Sequence, residues 1–415
     1  MGGLLVRHIG QIATPLGRSA IHGPAMGNLR LYEKAAILVQ DGCIAAVGED
    51  AGLGQAVLAA EPDIPVLDAG GGCAVPGFVD PHTHFLFAGA RAREFSDRLD
   101  GVPYLELLQR GGGICSTMQA TRAASAESLY ESGRQTLSRM LHFGITTVEG
   151  KSGYGLDLVN ELKLLQVMRQ LGETLPITLV PTYLGAHAVP PEYQGRADAY
   201  VDYIVQEVMP RVKREQLAEF VDVFCETGVF TPEQTGKILT AASAMGFALK
   251  LHADEMSSTG GAGLACRLGA VSADHLLSVS EPDILALARG QTVAVLLPAT
   301  AFCMRRPYAP GRQMIDAGCA VALASDFNPG SCYTYSVPLL LALAVLDMRL
   351  SIAEALTAMT LNAAAALRRA DRCGSIEPGK QADIVLLGAE DYRSLVYETG
   401  LNLVEHVIQE GEVLW

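Results

Sequence analysis

The chain has 415 residues, 49% of them hydrophobic and 18% charged, with a formal net charge of -14. That composition supplies a large buried core and argues against disorder. So acidic a chain lacks the basic face that nucleic acid or an anionic membrane requires, although one or two local arginines can still hold a small anion.

The length suits one large domain with a minor one attached. The N-terminal Met1-Gly2-Gly3-Leu4-Leu5-Val6-Arg7 has no charged region ahead of its apolar residues, so no secretory signal is expected. Val6 stands where a myristoylation site needs Ser or Thr. The longest apolar run, 337–346, contains Pro338 and is too short to span a bilayer. Nine cysteines without a C-x-x-C fit a reducing cytoplasm, each as a small core residue.

In chain order, the first segment reads as short strands. Two apolar runs within 35–48 are joined by Asp41-Gly42, a strong hairpin signal. The far end mirrors it, with a turn feeding a strand over 374–387 and a last hairpin over 404–414 turning at Glu410-Gly411-Glu412. These ends predict a small β-sandwich domain built from 1–73 and 371–415, which would tie down both termini.

Between them, 74–370 alternates apolar runs with helical patterns at 125–142, 158–171, 231–245 and 351–367. Its strands are expected at 76–84, 144–149, 177–183, 221–224, 248–252, 271–275, 293–297 and 321–326. Eight strands over that length predict an α/β fold of the (β/α)8 TIM-like barrel type. An open doubly wound sheet is disfavoured, because the first βα turn has no G-x-G-x-x-G.

Polar residues cluster where these strands end, the rim on which barrel active sites form. His82 and His84 stand two apart and so share one face of an extended strand. Together with His252 and Asp326 they make a three-nitrogen, one-oxygen set for one divalent metal, with room for water. Glu255, three residues past His252, is the expected general base. His275 could orient the attacking water, hold the oxyanion or pass a proton. Taken singly, His252 also reads as a core histidine and Asp326 as a helix N-cap.

At this point the chain resembles the amidohydrolase superfamily and, within it, the imidazolonepropionase family. The resemblance rests on Pro81-His82-Thr83-His84 with Arg91, Gly111-Gly112-Gly113-Ile114, Lys151-Ser152-Gly153-Tyr154-Gly155, Gly185-Ala186-His187, Lys250-Leu251-His252-Ala253-Asp254-Glu255, Ser272-Ala273-Asp274-His275 and Asp326-Phe327-Asn328-Pro329-Gly330-Ser331. It implies zinc or iron on His82, His84, His252 and Asp326. It implies substrate contacts from Arg91, Tyr154, His187, Glu255, Asn328, Gly330 and Ser331, and a homodimer.

The implied activity opens 4-imidazolone-5-propanoate to N-formimidoyl-L-glutamate in histidine degradation. Water activated by Glu255 attacks the ring carbonyl, with His187, His275 or the metal holding the oxyanion. Arg91 suits the substrate's carboxylate, although an isolated arginine is more often a surface ion pair. Tyr154 reads equally as a packing aromatic, and Asn328 as an Asn-Pro-Gly turn. A related cyclic amidase or nucleobase-type deaminase is the alternative. A binding protein on an inactive barrel would be expected to have lost ligands that are all present here. Cys332-Tyr333-Thr334-Tyr335-Ser336 departs from the family pattern, and Lys151 is expected in a loop rather than bridging two metals.

Overall fold

A computed structural model describes residues 2–102 and 112–415. Gly111 of the glycine run lies outside the described residues. The first strands are β1 (Leu4–Thr14), β2 (Arg30–Gln40), β3 (Cys43–Glu49), β4 (Val66–Asp68) and β5 (Cys73–Pro76). The hairpin between β2 and β3 turns on Asp41 and Gly42, at φ 49° and 77°, the pair of left-handed residues a two-residue turn of this hand needs.

Eight parallel strands follow: β6 (Phe78–Asp80), β7 (Ile145–Lys151), β8 (Thr178–Ala186), β9 (Phe220–Cys225), β10 (Ala248–Ala253), β11 (Ser272–His275), β12 (Val293–Leu296) and β13 (Val321–Leu323). Each pairs with the next in sequence order, which is the barrel expected. Every residue of β7, β11 and β12 is buried, as is all of β10 except Ala248, so these strands are covered on both sides. β6 and β13 meet through the segments that follow them. The Asp326 amide donates to the His82 carbonyl at 3.0 Å and the His84 amide to the Phe327 carbonyl at 2.9 Å. The first and last metal-ligand candidates are thereby stitched together by backbone.

The chain returns to the first sheet with β14 (Ile384–Leu387), β15 (Val404–Gln409) and β16 (Glu412–Val413). Its order is β16-β15-β14-β5-β1-β2-β3, with β4 on β1. β4 and β5 run parallel to β1 and the other pairs are antiparallel, so both chain ends build one mixed sheet. Leu4, Val6, Ile9 and Ile12 of β1 pack with Ile37, Ile384 and Ile408 in its core.

Helices of 16, 17 and 13 residues occupy Ala126–Leu141, Leu158–Thr174 and Pro232–Ala244. Ser125, Asp157 and Thr231 cap them by accepting from the amide three residues on. The single helix expected over 351–367 is two, Ile352–Met359 and Leu361–Ala366. Thr360 breaks it at ψ -92°, and the side chain of Asn362 bonds instead to Ile21 and to the Val321 carbonyl below the barrel. Tertiary bonding overrides the helical pattern there. No described helix is long and apolar enough to cross a membrane.

Candidate active site

Thr83 sets the aim of its neighbours. Its hydroxyl donates to the Glu149 carbonyl at 2.6 Å and its carbonyl accepts from the Lys151 amide at 2.9 Å, which ties it to β7. His82 and His84, on either side of it, are buried with ring centroids 5.3 Å apart. His252 joins them near the end of β10, its ring 4.4 Å from that of His82. Asp326 stands three residues past β13 at φ 53°. Asp254, His275 and Leu276 share this left-handed backbone (50°, 78° and 63°) on the same rim. Such conformations cost about 1–3 kcal/mol each and concentrate at functional sites.

His82, His84 and Asp326 bring one donor atom each within 4.8 Å of one another, and His252 adjoins this group through His84. His84 Nε2 is 3.4 Å from His252 Nε2, and Asp326 Oδ1 is 3.6 and 3.7 Å from the Nε2 atoms of His82 and His84. Metal bonds of about 2.0–2.1 Å at tetrahedral angles put donors about 3.4 Å apart, so the spacing fits one ion. His82 Nδ1 donates to Asp274 Oδ2 at 2.6 Å, which leaves its Nε2 as a lone pair, and that atom is buried without a protein partner. His252 Nδ1 lies 3.0 Å from Asp222 Oδ2. Burial, and then the charge of Lys151, hold His82 well below the usual histidine range; burial and then His187 do the same to His84. Neutral imidazole is the form that binds metal.

Beneath the histidines lies a buried charge network. Lys151 is not in the loop: it ends β7 and points into the barrel, 2.7 Å from Asp222, 3.0 Å from Glu149 and 3.5 Å from Asp274. Lys250 reaches Glu149 at 2.9 Å and the Pro81 carbonyl at 2.8 Å. With Asp326, four carboxylates face two ammonium groups, an excess that one divalent cation balances. A second ion on His82, Glu149 and Asp274, whose donor atoms are close enough to share one, would meet both lysines instead.

Glu255 stands at the mouth, with Oε2 3.7 Å from His275 Nε2. Two carboxylates hold its backbone. Asp254 accepts from the amides of Thr259, Gly260, Gly261 and Ala262, and Glu226 accepts from those of Met256 and Ser257. Burial, helped by the Asp326 charge, raises the Glu255 carboxyl to about 8. Both ring nitrogens of His275 are buried without a hydrogen-bond partner among the described residues, and burial holds its pKa well below the usual histidine range.

His187 stacks on His84 at 4.9 Å, and its Nδ1 donates to the Gly153 carbonyl at 3.1 Å. Burial, followed by His252, holds its pKa at about 3, so its Nε2 offers a lone pair rather than a proton. Tyr154 is buried beside it, 5.4 Å between centroids. The loop that carries Tyr154 is held by Glu161, a buried helix residue that accepts from the Gly153, Gly155 and Leu156 amides. Sequence reasoning missed Glu161, which looks like any polar residue of a helix.

A cavity of about 540 Å³ opens above these groups, of a size for a small ligand. Arg91, Asn328, Gly330 and Ser331 line it, but several are engaged. Arg91 binds Glu94 through two nitrogens, Nε at 3.0 Å and Nη2 closer still. Asn328 accepts from the Gly330 and Ser331 amides at 2.8 Å each and donates to the Asp326 carbonyl at 2.7 Å, which makes it the staple of its own turn. Tyr333 of the departing stretch packs edge-on against Phe327 at 4.9 Å and is otherwise largely exposed.

The model of the Amidohydrolase family matches residues 73–414. Imidazolonepropionase of Porphyromonas gingivalis is 50% identical over 414 residues, covering 99% of this chain and 97% of the relative. That of Bacteroides fragilis is 53% identical over 403 residues, with 97% and 96% covered. Among solved structures, a triazine hydrolase from Arthrobacter aurescens superposes at a TM-score of 0.72 with 19% identity, covering 100% of this chain and 95% of that one. An adenosine deaminase from Xanthomonas campestris with bound zinc reaches 0.69 at 20% identity, covering 99% and 92%. At such identities these two speak for the fold alone.

Proposed function

This chain belongs to the amidohydrolase family, among its imidazolonepropionases, and from that premise we propose a role for each residue of its site. The reaction is hydrolysis in histidine degradation, in which the ring of 4-imidazolone-5-propanoate opens to N-formimidoyl-L-glutamate. One divalent ion per chain, zinc or iron, is proposed on His82, His84, His252 and Asp326, a donor set that suits either. Bound there, the ion would supply Lewis-acid chemistry, making water more acidic and polarising the ring carbonyl.

In this reading Glu255 takes a proton from the attacking water as its oxygen bonds to the ring carbonyl carbon. It returns that proton to the ring nitrogen as the C–N bond breaks. His275, whose ring nitrogens have no hydrogen-bond partner among the described residues, stabilises the developing oxyanion. His187 is excluded from that task by its own hydrogen bond to Gly153, and its Nε2 accepts an N–H of the substrate instead. Tyr154 and Ser331 offer hydroxyls to the ligand. Asn328 and Gly330 act by shaping the wall rather than by free donors. The organisation into 1–73 with 371–415 and a 74–370 barrel, a cytoplasmic location and a homodimer belong to the same proposal, the last two on the family resemblance alone.

The observation that carries the reading is the grouping of His82, His84 and Asp326, with His252 against His84 and Glu255 near His275, beside one small cavity. Its test is turnover of 4-imidazolone-5-propanoate, followed by loss of the ring's ultraviolet absorbance and by mass spectrometry. Formimidoylglutamate is the expected product. A chain that left this substrate intact but deaminated a nucleobase-like ring would overturn the substrate assignment.

A further inference from the structure

The substrate brings a carboxylate into the cavity, and the arginine expected to receive it is already paired. Arg91 gives two nitrogens to Glu94, whose carboxylate also accepts from the Gly113 amide at 2.9 Å. That pair carries no net charge for an incoming anion. One helical turn beyond Glu94, on the same helix Ala92–Leu99, stands Arg98, which also lines the cavity. No carboxylate of the described residues lies within ion-pair distance of it. Its Nη1 rests on Met304 Sδ at 2.9 Å and the Gly330 carbonyl at 3.4 Å, its Cζ lies 5.4 Å from the centre of the Phe95 ring, and its Nη2 is buried with no hydrogen-bond partner among the described residues. A guanidinium withdrawn from water without an anion is costly, and a carboxylate is the partner that relieves it.

Both guanidinium groups flank the same glycine. A Cβ at Gly330 would fall 2.3 Å from Arg91 Nη1, while the Gly330 carbonyl faces Arg98. Two arginines against one glutamate leave a single positive charge on this wall, the complement of one carboxylate. Arg306 also borders the cavity, but it is exposed and its charge acts on Glu255. Resting on the substrate assigned above, we propose that Arg98 is a specificity-determining residue: it supplies the net charge that recognises the propionate, with the Arg91–Glu94 pair beside it fixing orientation.

The test compares Arg98→Gln and Arg98→Lys on 4-imidazolone-5-propanoate and on its carboxamide, in which the carboxylate is replaced by an uncharged amide. Metal content and melting temperature of each variant are measured alongside. For the propanoate, Arg98→Gln should lower kcat/KM about 10- to 100-fold, chiefly through KM, as expected for loss of a charge-assisted contact. For the carboxamide the change should stay below about threefold, and Arg98→Lys should recover part of the loss. An equal fall on both ligands, or none on the propanoate, overturns the role of Arg98 while leaving the substrate assignment intact. A wild-type enzyme inactive on the propanoate overturns both. If Arg98→Gln fails to fold, Arg98→Met, which keeps the contact with Met304, takes its place and is read by the same ratio.

Discussion

Replacing Glu255 with Gln is expected to lower kcat by about 10²- to 10⁴-fold, the range that a positioned general acid–base supplies, with metal content and KM near those of the wild type. The substitution keeps the shape and removes only the ability to take up a proton. The backbone that presents the residue should not move, because Asp254 and Glu226 hold it from both sides through amides that the change leaves untouched. The position is tuned for proton exchange: burial lifts its carboxyl to about 8, close to the pH at which water must lose a proton and the leaving nitrogen must gain one. Steady-state kinetics with metal analysis reads both halves of this expectation. Turnover retained in the Gln variant would take Glu255 out of the proton-transfer role and pass it to His275.

Lys151→Met should have the largest effect on the protein itself. Lys151 sits fully buried between Asp222, Glu149 and Asp274, and its loss strands three carboxylates with only Lys250 left. Breaking a buried ion pair from one side costs about 3–5 kcal/mol. Asp222 and Asp274 are also the groups that orient His252 and His82. Disturbing such supporting contacts lowers metal affinity by about 10- to 100-fold. Melting of the metal-free chain and competition with a chelator separate the two effects. A variant that melts and binds metal as the wild type does would show that the network neither supports the barrel nor aims the histidines.

Much of this arrangement was legible in the sequence because it is written locally. Strand runs such as Val293–Leu296 are too apolar to be anything but buried, and Asp41-Gly42 names its turn. His82 and His84 are two apart, so their shared face follows from strand geometry. What escaped depends on partners far away in the chain. Asp274 meets His82 across 192 positions and Asp222 meets Lys151 across 71, and no spacing rule anticipates either pair. That is also why Lys151 reads as a loop residue until the barrel closes around it. The Arg91–Glu94 pair is different, since three residues on a helix bring opposite charges together and the signal was there to be read. The same applies to Asn328, whose turn chemistry is visible in Asn-Pro-Gly and occupies the amide that a ligand would otherwise use.

In the mechanism proposed above, one divalent ion, held by His82, His84, His252 and Asp326, makes this site active. The most direct test is a titration of chelator-stripped protein with zinc or ferrous iron, with turnover of 4-imidazolone-5-propanoate measured at each step. Activity should rise in proportion to added metal and level off at one equivalent per chain, and Asp326→Ala should bind weakly and stay inactive. Full turnover by stripped protein, or a plateau reached only at two equivalents, would contradict the single-ion account.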